Sequence, residues 1–135
     1  MAKLLSTRYS DSAFSIALFL LRVAAGILML KHGYDKLQHF STYAEHFSDP
    51  FHIGVSLSLS LVIFAEFFCS ILIIAGLFTR LAAVPLIIDM IVALIYAHHW
   101  QIFGDGEKAA LFLIIFITIL FVGPGKFSLD KMIGK

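Results

Sequence analysis

The chain has 135 residues, of which 60% are hydrophobic and only 14% charged, and its formal net charge is +1. Soluble domains are typically about 45–50% apolar with about a quarter of their residues charged, so this composition is typical of a protein that faces lipid. The near-neutral charge argues against a nucleic-acid partner. The single cysteine, Cys69, excludes an intramolecular disulfide and a CxxC pair, so a redox role needs a partner or a cofactor.

Four apolar runs approach the roughly 20 residues that a helix needs to cross a bilayer. The first contains Arg22 at its centre and is interpreted as a retained helix, not a cleaved signal peptide. The last is short and reaches a spanning length only when it is extended to residues 107–123. The sequence therefore predicts an all-α fold, a four-helix transmembrane bundle with short loops in a single domain over residues 1–135. The runs cover residues 13–30, 53–78, 81–97 and 109–122.

The connections between the runs carry signals for helix ends. In the longest loop, Thr42 and Glu45 have the spacing of a capping box and predict a small extracytoplasmic interfacial helix over residues 43–48. Thr79 is placed to cap the third helix through its side chain. The Gly-Pro-Gly sequence at residues 123–125 ends the fourth helix, because proline cannot continue the hydrogen-bond ladder.

Lysine and arginine flank the spans unequally, six on the side of the termini and three on the other. Because positive residues concentrate in cytoplasmic loops, we predict a multi-pass protein of the cell membrane with both termini in the cytoplasm. All six histidines then lie on the opposite face. Without HxxxH or HExxH spacing they favour hydrogen bonding or proton buffering, and no metal site is predicted. The charge sets are Lys3, Arg8, Arg80, Lys126, Lys131 and Lys135 against Lys31, Lys36 and Lys108.

Three ionisable residues interrupt the apolar runs: Arg22, Glu66 and Asp89. Counted along the runs at 1.5 Å per residue, they lie at similar depth. A charged side chain at mid-bilayer costs at least about 2.5 kcal/mol, so we expect all three to face inward and form one connected network. In that network Arg22 contacts Glu66, Asp89 or both. A buried pair of carboxylates normally retains one proton, so the network is a candidate proton or ligand site.

The helical phase of the first run adds an inward stripe. At about 100° per residue, Gly26, Met29, Gly33 and Lys36 project near Arg22, and the two glycines allow another helix to approach closely. Two interpretations of the buried charges remain open at this point. They form either a structural ion network that fixes helix register or a site for a proton or a ligand.

Short motifs follow one another along nearly the whole chain in an order and spacing that resemble the DoxX family of small four-helix membrane proteins. The resemblance implies a four-helix bundle and marks Arg22, His32, Lys36, Glu66, Asp89 and Glu107 as site residues. If Glu66 is only scaffold, the site is sought at the outer face among His32, Lys36, His98 and Glu107. The motifs are RVAAG at 22–26, HGYDK at 32–36, Glu66, GLFTRLAA at 76–83, Asp89-Met90, Glu107 and GPGKFSLD at 123–130.

The resemblance also implies accessory roles, because DoxX-like proteins include relatives of thiosulfate:quinone oxidoreductase subunits, components of oxidative-stress or thiol-handling complexes, and membrane-protein assembly factors. The leading hypothesis is an accessory membrane subunit, not a complete enzyme by itself, that binds a quinone or another hydrophobic ligand and supports redox chemistry with partner subunits. One alternative is a non-enzymatic assembly factor or scaffold. Another is a proton-coupled carrier, which four helices without inverted repeats would allow only as a homo-oligomer.

Overall fold

The computed structural model describes residues 4–47 and 49–134. Within these ranges the regular secondary structure is entirely helical, which confirms the all-α prediction. Lys3 and Lys135 of the charge count and Ser48 of the predicted interfacial helix lie outside the described residues. The helices are α1 (Asp11–Gln38), α2 (Phe40–His46), α3 (Val55–Ala75), α4 (Thr79–Ala97), α5 (Glu107–Val122) and α6 (Leu129–Met132).

Three of these helices, α1, α3 and α4, are long and apolar enough to cross a membrane. The 16 residues of α5 extend over about 24 Å, less than the roughly 30 Å of a bilayer's hydrocarbon core. This helix packs extensively along α4 and buries Phe112, Phe116 and Ile119. The hydrophobic core therefore lies between α1, α3, α4 and α5, and it includes the free thiol of Cys69 as a buried side chain.

The first helix is longer than its apolar run, because α1 continues without a break to Gln38. Its inner stripe matches the predicted phase, since Arg22, Gly26, Met29 and Gly33 are all buried. A Cβ atom on Gly33 would lie 2.5 Å from the backbone nitrogen of Phe67, so the two backbones meet here as predicted for a small residue. The extension of α1 makes Lys36 a helical residue on this inner stripe.

Two capping predictions are wrong. Thr42 lies inside α2, which begins at Phe40 and has no side-chain cap, so no capping box forms. Thr79 does not cap α4. Instead, the carboxylate of Asp130 accepts hydrogen bonds from the backbone nitrogens of Phe78 at 2.7 Å and Thr79 at 2.9 Å. The cap comes from α6, which packs against the start of α4 in space although it is far away in sequence.

Candidate functional site

Glu66 lies in a π-helical segment of α3, Phe64–Cys69. A π turn widens the helix locally, and such turns occur frequently at functional sites. In this segment Ala65, Glu66 and Cys69 are buried together. Gly33 of α1 packs against the backbone of Glu66, which leaves no space for a larger residue. The close approach of the two helices places the Glu66 carboxylate in the interior of the bundle.

The partner of Glu66 is Lys36, which lies on the inner stripe of α1. The Nζ atom of Lys36 donates to Oε2 of Glu66 at 2.6 Å, and the two side chains are only 17% and 6% exposed. The ammonium group also lies 5.8 Å from the ring centroid of Tyr43 in α2. A short ion pair with so little exposure is a strong charge-assisted hydrogen bond. It joins α1 to α3 at the level of the π segment.

Asp89 adds a second carboxyl group from α4. It is buried, and its carboxyl group lies close to that of Glu66. Two neighbouring buried carboxyl groups normally retain one proton, and with one cation beside them such a group would carry no net charge. The three residues, Lys36, Glu66 and Asp89, are called the cavity cluster. Within the described part of the chain, Oδ2 of Asp89 has no hydrogen-bond partner. A buried acceptor without a partner costs about 1–3 kcal/mol.

The cavity cluster forms one wall of a cavity of about 550 Å³. The lining is mostly apolar and comes from all of α1 to α5 and from the connections before α3 and after α4. His32 contributes an imidazole beside the cluster, with its ring edge-on to Phe112 at 6.2 Å. Further polar side chains come from residues toward the face opposite the chain termini: His46, Ser58, Tyr96, His98 and Lys108.

Arg22 does not join this cluster, so the prediction of a single network with Glu66 and Asp89 is wrong. Its Nη1 donates to the carbonyl oxygen of Pro124 at 2.5 Å, and its Nη2 donates to those of Phe127 at 2.7 Å and Ile74 at 3.5 Å. The guanidinium group therefore ties α1 to the end of α3 and to the segment after α5.

The physical reason is depth along the helix, because the phase was predicted correctly. Arg22 and Lys36 share the inner stripe, but the 14 residues between them correspond to about 21 Å along α1. Side chains tilt toward the N-terminus of their own helix, so Arg22 extends toward the face that carries the termini. Lys36 is the α1 cation at the depth of Glu66.

The remaining candidates fall in two places. His32 lines the cavity beside the cluster, and His98 lines it from the loop after α4. Glu107 is the first residue of α5, is exposed, and is not among the lining residues. The helical phase places Lys36 on the inner stripe, but the sequence alone does not pair it with Glu66. The cap formed by Asp130 is not predicted from the sequence, because no local pattern links Asp130 to α4.

Membrane-length apolar helices that enclose a cluster of charges define an integral membrane protein. The sequence profile of DoxX matches residues 17–99, and the chain belongs to the DoxX family.

Three curated relatives are similar to it. The inner membrane protein YphA of Escherichia coli is 27% identical over 139 residues, which cover 92% of this chain and 96% of that protein. An uncharacterized membrane protein of Mycobacterium tuberculosis is 32% identical over 84 residues, 52% of each chain. An uncharacterized protein of Haemophilus influenzae is 37% identical over 73 residues, 49% of this chain and 54% of that one. The chain thus spans about half the length of the latter two. No solved structure matches it.

Proposed function

We propose that the protein is an accessory membrane subunit that binds a quinone-class ligand in the cavity, with the polar ring of the ligand against the cavity cluster. The observation that carries the proposal is the buried, unpartnered Oδ2 of Asp89 in the wall of a mostly apolar cavity of about 550 Å³. Ligand pockets commonly enclose about 300–1,000 Å³, with apolar walls and a few polar groups that orient the ligand. An ion pair that only fixes helix register would need no cavity beside it.

The cluster offers the chemistry that a quinone and its quinol need. A quinone carbonyl accepts hydrogen bonds, for which Lys36 and a protonated carboxyl group are donors, and a quinol hydroxyl donates, for which Asp89 is an acceptor. Reduction of a quinone takes up protons together with electrons, so groups that hold and exchange a proton belong beside the ring. In this proposal the electrons come from a partner subunit.

The proposal includes the membrane arrangement. The helix α5 is the fourth span, supported by its packing along α4 and by an apolar sequence that local bilayer thinning can accommodate. Both termini lie in the cytoplasm, supported by the six-to-three distribution of lysine and arginine. The polar mouth of the cavity then faces the extracytoplasmic side. Labelling of cysteines introduced at the exposed positions Asp105 and Lys131, from opposite sides of the membrane, tests this orientation, because the native Cys69 is buried.

The binding test compares two matched substitutions, Glu66→Gln in the cavity cluster and Glu107→Gln outside the cavity. Protein in lipid nanodiscs is titrated with decylubiquinone, and binding is followed by the fluorescence of Trp100, the single tryptophan. Glu66→Gln should fold normally, because a protonated Asp89 can ionise and pair with Lys36. It should bind at least about tenfold more weakly, a loss of about 1.4 kcal/mol. Glu107→Gln should bind as the wild type does.

Equal binding by wild type and Glu66→Gln would contradict the proposal. The cluster would then set helix register only, as expected for a non-enzymatic assembly factor or scaffold. A wild-type protein that binds no quinone would contradict it as well.

A further inference from the structure

The helices α3 and α4 separate toward the face opposite the termini. Along the described chain, the first half of α3, Val55–Ile63, packs mainly against α1, α2 and its own π segment. The contacts of α4 with α3 are concentrated in the later parts of α3, Phe64–Cys69 and Ser70–Ala75. The cavity lies where the two helices diverge, and Pro85 of α4 is part of its wall.

The residues at the edges of this gap differ from the rest of the cavity wall in their exposure. Leu61 and Phe64 of α3 and Ile88 and Tyr96 of α4 all line the cavity. Their side chains are 51%, 48%, 52% and 45% exposed, whereas several other lining residues are buried. Lining residues that are about half exposed mark the opening of a cavity. Since Ile88 is the neighbour of Asp89 and Leu61 lies about one and a half turns from Glu66, the opening reaches the depth of the cavity cluster.

From this geometry, and building on the proposed function, we infer that the cavity opens sideways into the hydrocarbon between α3 and α4 and that its ligand is an amphiphile with a long apolar tail. The head lies at Asp89, and the tail leaves through the gap bordered by Leu61, Phe64, Ile88 and Tyr96. An aliphatic tail matches these apolar edges and their position at membrane depth. A helix from a partner protein would cover the edges but would leave the Asp89 oxygen without a partner.

The first experiment tests whether the gap binds the apolar tail of the ligand and not its head group. Leu61→Trp and Ile88→Trp narrow the gap, while Leu111→Trp and Ile114→Trp place the same bulk on exposed positions of α5 outside the cavity lining. Calorimetric titration in nanodiscs uses decylubiquinone and its tailless analogue, 2,3-dimethoxy-5-methylbenzoquinone. The gap variants should bind decylubiquinone at least about tenfold more weakly and the tailless quinone within about twofold of wild type. The α5 variants should match the wild type for both.

Undiminished binding of decylubiquinone by the gap variants would overturn the lateral opening, and so would an equal loss of both quinones, which indicates general damage to the cavity. Either result would leave the quinone site of the wild type in place. In contrast, a wild type that binds neither quinone contradicts the proposed function itself.

The second experiment tests the lateral opening with an apolar probe that has no head group. A diazirine-bearing alkane is dissolved in the bilayer and photolysed, and labelled peptides are identified by mass spectrometry. His32 of α1 lines the cavity and is partly exposed, so label reaches it through the gap. It should be labelled in the wild type, and the labelling should be largely lost in Ile88→Trp because the larger side chain narrows the gap. Absence of label at His32 in the wild type would overturn the inference.

Discussion

Two buried polar clusters of this small bundle both begin with a cation on the inner stripe of α1, and they use it differently. In the first, here called the terminal cluster, Arg22 donates to carbonyl oxygens of Pro124 and Phe127, while Asp130 caps α4. In the cavity cluster, Lys36 pairs with the side chain of Glu66, and a carboxylate oxygen of Asp89 remains without a partner.

The difference separates a structural role from a binding role. Nη1 and Nη2 of Arg22 donate to the chain's own backbone, so Arg22 holds the segment after α5 against α1 and α3. Its Nε has no partner within the described residues, but Arg22 does not line the cavity. The cavity cluster lies in the wall of the cavity, and Oδ2 of Asp89 has no partner there within the described residues. A buried acceptor without a partner destabilises the fold unless a ligand donates a hydrogen bond to it. Changes in the terminal cluster should therefore act on stability, whereas changes in the cavity cluster should act mainly on binding.

The largest effect is expected for Arg22→Met. The variant removes two close hydrogen bonds from a charged donor, each worth about 1.5–3 kcal/mol, and leaves buried carbonyl oxygens unpaired. We expect a loss of about 3 kcal/mol or more in the free energy of unfolding, measured by thermal or denaturant unfolding in detergent. Arg80→Met is the matched control, because Arg80 is exposed and its bonds to Phe121 and Val122 are 3.3 and 3.4 Å long. Similar melting of both variants would contradict a structural role for Arg22.

A smaller effect is expected for Gly33→Ala, which acts where α1 meets α3 beside the cavity cluster. The added Cβ would lie 2.5–2.6 Å from the backbone of Phe67 and Glu66, so α1 and α3 must move apart. Such overpacking costs about 1–3 kcal/mol. The same shift lengthens the ion pair of Lys36 and Glu66, so decylubiquinone binding should weaken together with stability. Gly104→Ala has space for its Cβ and should leave the binding unchanged.

Asp130→Asn should cost less, because the amide oxygen still accepts one of the two capping bonds at α4. We expect about 1 kcal/mol in unfolding free energy, within the range for helix caps. Quinone affinity should stay at the wild-type value, since the terminal cluster does not line the cavity. Titration with decylubiquinone in nanodiscs measures the affinity, and unfolding in detergent measures the stability. A variant that loses affinity but keeps its stability would contradict the division of roles.

The smallest effect is expected for the contribution of Asp49 to the pH dependence of stability. Asp49 lies in the connection before α3. Desolvation raises the pKa of Asp49, but hydrogen bonds from Ser58, Gly54 and Ile53 outweigh it and hold the pKa below its ordinary value. A carboxyl group with a lowered folded-state pKa stabilises the fold above its unfolded pKa of about 3.9.

This contribution is lost as the pH falls through the folded value. Melting temperatures measured from about pH 6 to pH 3 should therefore fall slightly more in the wild type than in Asp49→Asn. Parallel curves for the two proteins would show that these bonds do not affect stability.

Much of this organisation could be predicted from the sequence. The apolar runs predicted an all-helical membrane protein, and the 3.6-residue period predicted the inner stripe of α1 and the small residues where α3 approaches. Burial of Arg22, Glu66 and Asp89 also followed, because isolated charges are costly in lipid.

Which of the charges meet could not be predicted from the sequence, because it depends on how the helices pack. The period of a helix gives the direction of a side chain but not its depth, which depends on where each helix ends and how far neighbouring helices slide along each other. The end of the apolar run at Leu30 did not mark the end of α1, so Lys36 and not Arg22 reached the level of Glu66. Likewise, the cap of α4 comes from Asp130, 51 residues beyond Thr79, because helix ends bond to whichever polar group packs beside them in space.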